Sequence, residues 1–201
     1  MDNFSILQYG EPLNKALYTI DIDNKVFTSR EHSLVLDFGR FEDWTFQVGD
    51  SCTLSTGAHC NFKTGAHCNF TTEGSCMFNT HNHCTFDTGY SCIFNTSSEC
   101  NFITDYGCTF NTGVWCTFKT SGHCTFKTGV SCNFMTGGNC TFYTDWRCTF
   151  TTDSGCTFSV WGMDTQKFKS YDGYSIILDR KSGERYVLNK EFIAWQKVKN
   201  G

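Results

Sequence analysis

Four histidines stand directly before cysteines, in His59-Cys60, His67-Cys68, His83-Cys84 and His123-Cys124, and His81 lies close by. An imidazole beside a thiol can make a nucleophile with its base, or half of a soft-metal site. The spacing argues against both. Fourteen cysteines, Cys52 to Cys156, follow one another at steps of eight, whereas zinc sites bring their ligands in close pairs such as Cys-x-x-Cys. Neighbours on an extended strand point to opposite faces, so each imidazole leaves the core as the adjacent sulfur enters it. His67, His81 and His83 remain weak surface candidates for a divalent ion, because a sixteen-residue coil would stack His67 on His83. No cofactor is expected: no Gly-rich phosphate loop opens a helix, and no spaced Ser, His and Asp set stands out. The chain reads as a non-enzyme.

Steps of eight are repeat geometry. From Gly49 to Val160 the pattern x-x-x-Cys-x-Phe-x-Thr recurs fourteen times without insertion, and thirteen of the twenty phenylalanines follow a cysteine by two residues. Within each octad Cys, Phe and Thr alternate with variable residues, the period of a strand with one constant face. Lys63, Asp87, Lys119 and Lys127 all occupy the seventh position. An unpaired charge in a core is very costly, so that position faces water and Cys, Phe and Thr face inward. Positions one to three, rich in Gly, Ser, Asn and Asp, supply the positive φ and local hydrogen bonds of a tight turn.

One octad is thus a strand plus a turn, and the chain is expected to be an all-β, parallel β-solenoid with strands about 4.8 Å apart. Two octads, sixteen residues, closing each coil would oppose Phe to Phe across sheets about 10 Å apart and set Cys against Thr at the edges. Three octads per coil is the alternative, with a wider interior that these side chains would underfill. Buried free cysteine acts as a small hydrophobe, and a ladder of seven thiols cannot pair completely. The frame is expected to begin at Ser33, with Leu36 and Trp44 in the cysteine slot and Phe38 and Phe46 in the phenylalanine slot. Residues 1–32 then form an N-terminal cap with a hairpin about Asp23-Asn24, 33–160 the solenoid, and 161–201 a C-terminal capping region. In that last region YSIILDR and ERYVLNKEF pair as a β-hairpin turning at Lys181 to Gly183, and Trp161 and Phe168 cover the last coil.

Net charge is −4, without the basic excess of nucleic-acid or anionic-membrane binders. The first 48 residues carry four basic and eight acidic side chains and the last 41 carry eight and five, which would permit end-to-end contact through the caps. Residues 1–17 lack the pattern of a signal peptide and no transmembrane segment is evident, so neither membrane nor nucleic acid is an expected partner. So many cysteines without an export signal point to a reducing compartment. Candidate interaction residues are the outward or turn aromatics Tyr90, Tyr106, Trp115, Tyr143 and Trp146, aromatics being enriched at interfaces. Tyr106 and Trp146 fall on opposite edges, so no single patch is forced.

The run WCTFKTSGHCTFKTGVSCNFMTGGNCTFYT, Trp115 to Thr144, resembles the cysteine-rich octapeptide arrays of the form Cys-Thr-Phe-x-Thr-Gly found in bacteriophage proteins and in environmental and gut viral sequences. The lead-in LYTIDIDNKVFTSREHSLVLDF is similar to the segment that precedes such arrays, so the resemblance spans residues 17 to 160. It implies a viral origin and a solenoid, and brings no activity with it. The architecture is also similar to bacterial ice-nucleation proteins, whose coil is likewise two octads. The expected function is therefore a rigid, phage-encoded structural or protein-binding element, in the virion or in the cytoplasm of the infected cell. Alternatives are a host-directed inhibitor or mimic and an ice-binding surface. The file Thr53, Asn69, Thr85, Asn101, Thr117, Asn133 and Thr149 suits ice, but its neighbours Asp87, Ile103, Lys119 and Met135 break the regularity.

Overall fold

A computed structural model describes residues 4–160 except 146 and 154, and the backbone of four further strands between 166 and 197. It is a parallel β-solenoid of two sheets with twelve strands each. Each coil takes two octads: Phe78 lies opposite Phe94 and Phe94 opposite Phe110, steps of sixteen, in one sheet, while Phe86 and Phe102 pair in the other. The triangular alternative is thereby excluded. Among the described residues the only helical turn is a 3-10 segment, Lys15–Leu17.

The core follows from the pattern. Every cysteine from Cys52 to Cys156 is buried, as is every array phenylalanine, while Lys63, Asp87, Lys119 and Lys127 are exposed. Phenylalanines in one sheet stack face to face along the rod, as in Phe110 on Phe126 at 4.8 Å and 3°. Across the sheets they meet edge to face, as in Phe102 against Phe110 at 5.2 Å and 77°. Both arrangements are favourable for aromatic quadrupoles, and their alternation fills the gap between the sheets. The inward threonines close the edges. Thr56, Thr64, Thr72, Thr80, Thr96, Thr104, Thr120 and Thr136 donate to the carbonyl of the next residue at 3.0–3.4 Å. Thr88, Thr112 and Thr144 lack an oxygen or nitrogen partner and instead neighbour the thiols of Cys92, Cys116 and Cys148, weak acceptors from the opposite sheet.

The turn takes its positive φ at one place only, the residue before each cysteine, and rarely from glycine. Ser51, His67, Glu99, Trp115 and Arg147 have φ of 56–61°, and only Gly107 and Gly155 among the fourteen are glycines. The corner geometry, repeated and hydrogen-bonded from coil to coil, outweighs the local cost of a left-handed residue with a Cβ.

The same marker locates a register shift that the octad count conceals. Strands β1 (Ser5–Gln8), β2 (Glu11–Pro12), β3 (Tyr18–Asp21), β4 (Val26–Ser29), β5 (Leu34–Asp37), β6 (Thr45–Gln47) and β7 (Thr53–Thr56) precede the regular array. Leu36 of β5 lies opposite Leu54, in the phenylalanine slot and not the cysteine slot. Leu34 therefore takes the cysteine slot and buried Phe38 comes where threonine is expected. Trp44 and Phe46 keep their expected slots, Phe46 lying opposite Phe62. The left-handed residues Ser33 and Asp43 are ten apart where the array has eight, so the corner at Phe38 to Asp43 carries two extra residues. Alternating apolar residues in SLVLDF face inward in either register, and the structure selects the one that places Leu36 opposite Leu54.

Both ends are closed by antiparallel strands. The hairpin about Asp23-Asn24 forms, with Ile20 of β3 opposite Phe27 of β4 and Asp21 accepting from Asn24 at 2.7 Å. β4 then joins the parallel ladder, so the stack begins earlier than Ser33, at Val26. β1 pairs antiparallel with β5 and with the two-residue β2. At the other end Gln166–Ser170 continues one sheet, with Phe168 opposite Phe150. The hairpin expected between Ser175–Leu178 and Arg185–Asn189 is not made: the first pairs with Gln166–Ser170 in one sheet, and the second with Thr157–Val160 and Ala194–Lys197 in the other. Each apolar segment thus covers the end of a different sheet. Trp161 and the turn at Lys181 to Gly183 lie outside the described residues.

Candidate interaction surface

The histidines lie at the corners, outside the core, His67, His81 and His83 on one edge of the rod and His59 and His123 on the other. His67 and His83 stack at 4.7 Å and 6°, and His83 Nδ1 lies 3.4 Å from Glu99 Oε2. Their outward placement comes from the left-handed corner, not from strand alternation, since each precedes its strand. Parallel imidazoles aim their nitrogens along parallel planes instead of at one point, and His81 occupies a different column, beside Gly65. Among the described residues no group of three His, Cys, Asp or Glu side chains is placed to hold a metal ion. The adjacent thiols face the other way: Cys68 Sγ contacts the carbonyls of Ala66 at 3.4 Å and Gly49 at 3.6 Å, inside the corner. No His–Cys couple forms.

None of the fourteen thiols is in a disulfide, and all are buried. Neighbouring thiols of the ladder, then burial, push Cys76, Cys100, Cys108, Cys132 and Cys140 up. The same neighbouring thiols lower Cys84, Cys92, Cys116 and Cys124 against the effect of burial.

The aromatic candidates are divided among surfaces. Tyr90 and Tyr106 come together on one edge, their rings 5.6 Å apart and nearly parallel, 48% and 55% exposed. The signal was their separation of sixteen, one coil. Trp115 is exposed on the opposite edge, Tyr143 is exposed on a sheet face opposite Lys127, and Trp146 lies outside the described residues. Beside the tyrosine pair runs an open groove lined by Glu73, Asp87, Thr88, Tyr90, Ile103 and Asp105. Ile103 is half exposed. The carboxylates fall on three successive coils, and no lysine or arginine lines the groove.

A second groove follows from the enlarged N-terminal corner. It is lined by Ile22, Lys25, Phe38, Arg40, Phe41, Asp43 and Trp44 among others, with Lys25 Nζ 3.1 Å from Asp43. Only the interruption in octad spacing could have marked it.

The sheet faces carry polar files. Thr53, Asn69, Thr85, Asn101, Thr117, Asn133 and Thr149 are all exposed on one sheet. On the other, Asn95 Nδ2 donates to Asn79 Oδ1 at 3.0 Å and Asn111 Nδ2 to Asn95 Oδ1 at 2.9 Å, so these amides spend their hydrogen bonds on the stack. No helix among the described residues is long and apolar enough to cross a membrane. No known protein family matches this chain, and neither a curated protein nor a solved structure does.

Proposed function

We propose that this chain is a rigid, non-enzymatic rod of bacteriophage origin that binds another protein along the edge bearing Tyr90 and Tyr106. The observation that carries the reading is that groove: a stacked tyrosine pair and exposed Ile103 beside Glu73, Asp87 and Asp105 with no lining cation. Aromatic and aliphatic surface supplies affinity there, and carboxylates at successive coils favour a basic partner. The interior supports the same reading, since among the described residues the side chains of the solenoid fill it and the two recesses described above are open surface grooves. Viral origin rests on the octapeptide resemblance, and the place of action is the virion or the infected cell.

Sideways contact is favoured over end-to-end growth. The outermost strand of one sheet is β2, two residues long, and it contains Pro12, the only proline in the chain. Proline offers no N–H to a further strand, and a very short edge strand blunts ladder extension.

The test is capture from infected-cell extract by the wild-type chain and by Tyr90→Ser/Tyr106→Ser. Anchors of this type are each worth about 2 kcal/mol or more, so the double variant should bind its specific partner at least about thirtyfold less well. Equal capture by the two proteins would remove this edge as the binding surface. Mass spectrometry of purified particles separates a virion component from a host-directed binder.

A further inference from the structure

The two cysteine ladders are a chemical resource that an edge-binding rod does not use. Within a ladder each sulfur keeps the same company. Cys100 Sγ contacts Ser98 O at 3.4 Å and His81 O at 3.5 Å, Cys116 Sγ contacts Val114 O at 3.6 Å and Ser97 O at 3.7 Å, and Cys132 Sγ contacts Val130 O at 3.6 Å and Gly113 O at 3.7 Å. Equivalent surroundings mean equivalent rotamers, so neighbouring sulfurs are related by the coil translation alone. The phenylalanine stacks measure that translation as 4.8–4.9 Å. Such sulfurs are far beyond the disulfide bond length of about 2.05 Å. The point midway between them is about 2.4 Å from each, close to the metal–thiolate distance of about 2.3 Å seen for zinc.

Zinc itself is a poor fit, since it takes four donors and no group of three converges among the described residues. An ion satisfied by two sulfurs in line is a good one, and soft thiolates select soft ions such as copper(I). The inward cysteine side chain stands across the rod axis, so a bond running along the axis meets Cβ–Sγ at roughly a right angle, the bend that divalent sulfur prefers. Two such bonds on opposite sides of one sulfur would be collinear, which its lone pairs disfavour, so adjacent gaps are not both filled.

We infer that each cysteine ladder is a binding file for soft, two-coordinate, monovalent metal ions, copper(I) or silver(I), each held between thiols of successive coils. Seven thiols per ladder taken in pairs accept at most three ions, six for the rod. Each ion forms two metal–sulfur bonds and displaces one S–H proton to solvent, its partner thiol keeping its own. No oxidation state changes, and the buried unit stays neutral, which avoids the cost of an uncompensated charge in the core.

The test uses silver(I), which needs no reductant, on the reduced full-length chain in excess imidazole to strip ions held by histidine. Native mass spectrometry should find saturation at six ions with one proton released per ion and unchanged β circular dichroism. Pairing also predicts a parity effect. Cys84→Ser removes the third thiol of its ladder and leaves runs of two and four, so uptake stays at six. Cys100→Ser removes the fourth and leaves two runs of three, so uptake falls to five. Cys84→Ala and Cys100→Ala read the same parity if a buried serine prevents folding. Equal losses in the two variants, uptake only with loss of β structure, or no uptake by the folded wild type would each overturn the inference.

Discussion

Truncating one ring in the middle of the rod tests whether phenylalanine, not cysteine, holds it together. Phe110 is fully buried and touches four others: Phe94 and Phe126 stacked at 4.9 and 4.8 Å, Phe102 and Phe118 edge to face at 5.2 Å. Phe→Ala in a core costs about 3–5 kcal/mol. With ring partners on all sides in a close-packed stack, little collapse into the space is available, which puts Phe110→Ala near the upper figure, about 4–5 kcal/mol. In a solenoid each coil contacts only its neighbours, so the loss is concentrated at one junction and the two halves should begin to unfold separately. Chemical denaturation followed by circular dichroism and by tryptophan emission should therefore show a lower midpoint and two transitions that no longer coincide. Phe110→Leu should cost far less, about 1 kcal/mol, since Leu54 already occupies a phenylalanine slot at the start of the array. Met135→Ala, at an exposed site, should change stability by less than about 0.5 kcal/mol. If Phe110→Ala costs no more than Met135→Ala, the argument that the ring stack is the core fails.

Burial of the thiols predicts that an alkylating reagent at neutral pH modifies none of the fourteen on the native time scale and all of them after denaturation; rapid modification of several in the folded chain would contradict the inward assignment. Replacing the sheet-ending pair by Glu11→Thr/Pro12→Val restores a donor and removes a charge at the edge, so light scattering should show oligomers that the wild type does not form. Ser131→Gly relieves a left-handed residue at φ 57° and should raise stability by up to about 1 kcal/mol, read as a higher Tm; a lower Tm would mean that the corner does not carry this strain.

The repeat made the interior legible because charge at a single position decides which way a strand faces. Once Lys63, Asp87, Lys119 and Lys127 are turned outward, the burial of Cys, Phe and Thr and the coil of two octads follow from the pleat and the size of a phenylalanine ring. The same logic fails where the pattern is apolar on both registers. Leu34, Leu36 and Phe38 can all face inward whichever slot each is given, and counting in eights conceals the two residues added at the next corner. What resolves the register is backbone conformation, the left-handed Ser33 and Asp43, which residue type does not announce. The C-terminal segments err for a related reason: SIIL and RYVLN both want a partner strand, and composition cannot say that each finds it at the end of a different sheet.

The surface was legible only as far as the coil translates it. Tyr90 and Tyr106 are one coil apart and therefore stack, as do His67 and His83, and both consequences are arithmetic once the sixteen-residue period is fixed. Residues in different columns obey no such rule. Whether Asp87, Asp105 and Ile103 open onto the same groove depends on how a corner leans over the adjoining sheet, a feature of tertiary packing. A solenoid thus divides its sequence by the direction in which change is tolerated: inward positions are held to one residue type by the stack, while corner columns vary from coil to coil. The proposed partner surface accordingly joins a corner column to the outward file beside it, and the pair Tyr90–Tyr106 is a place where two successive coils agree on a large exposed aromatic.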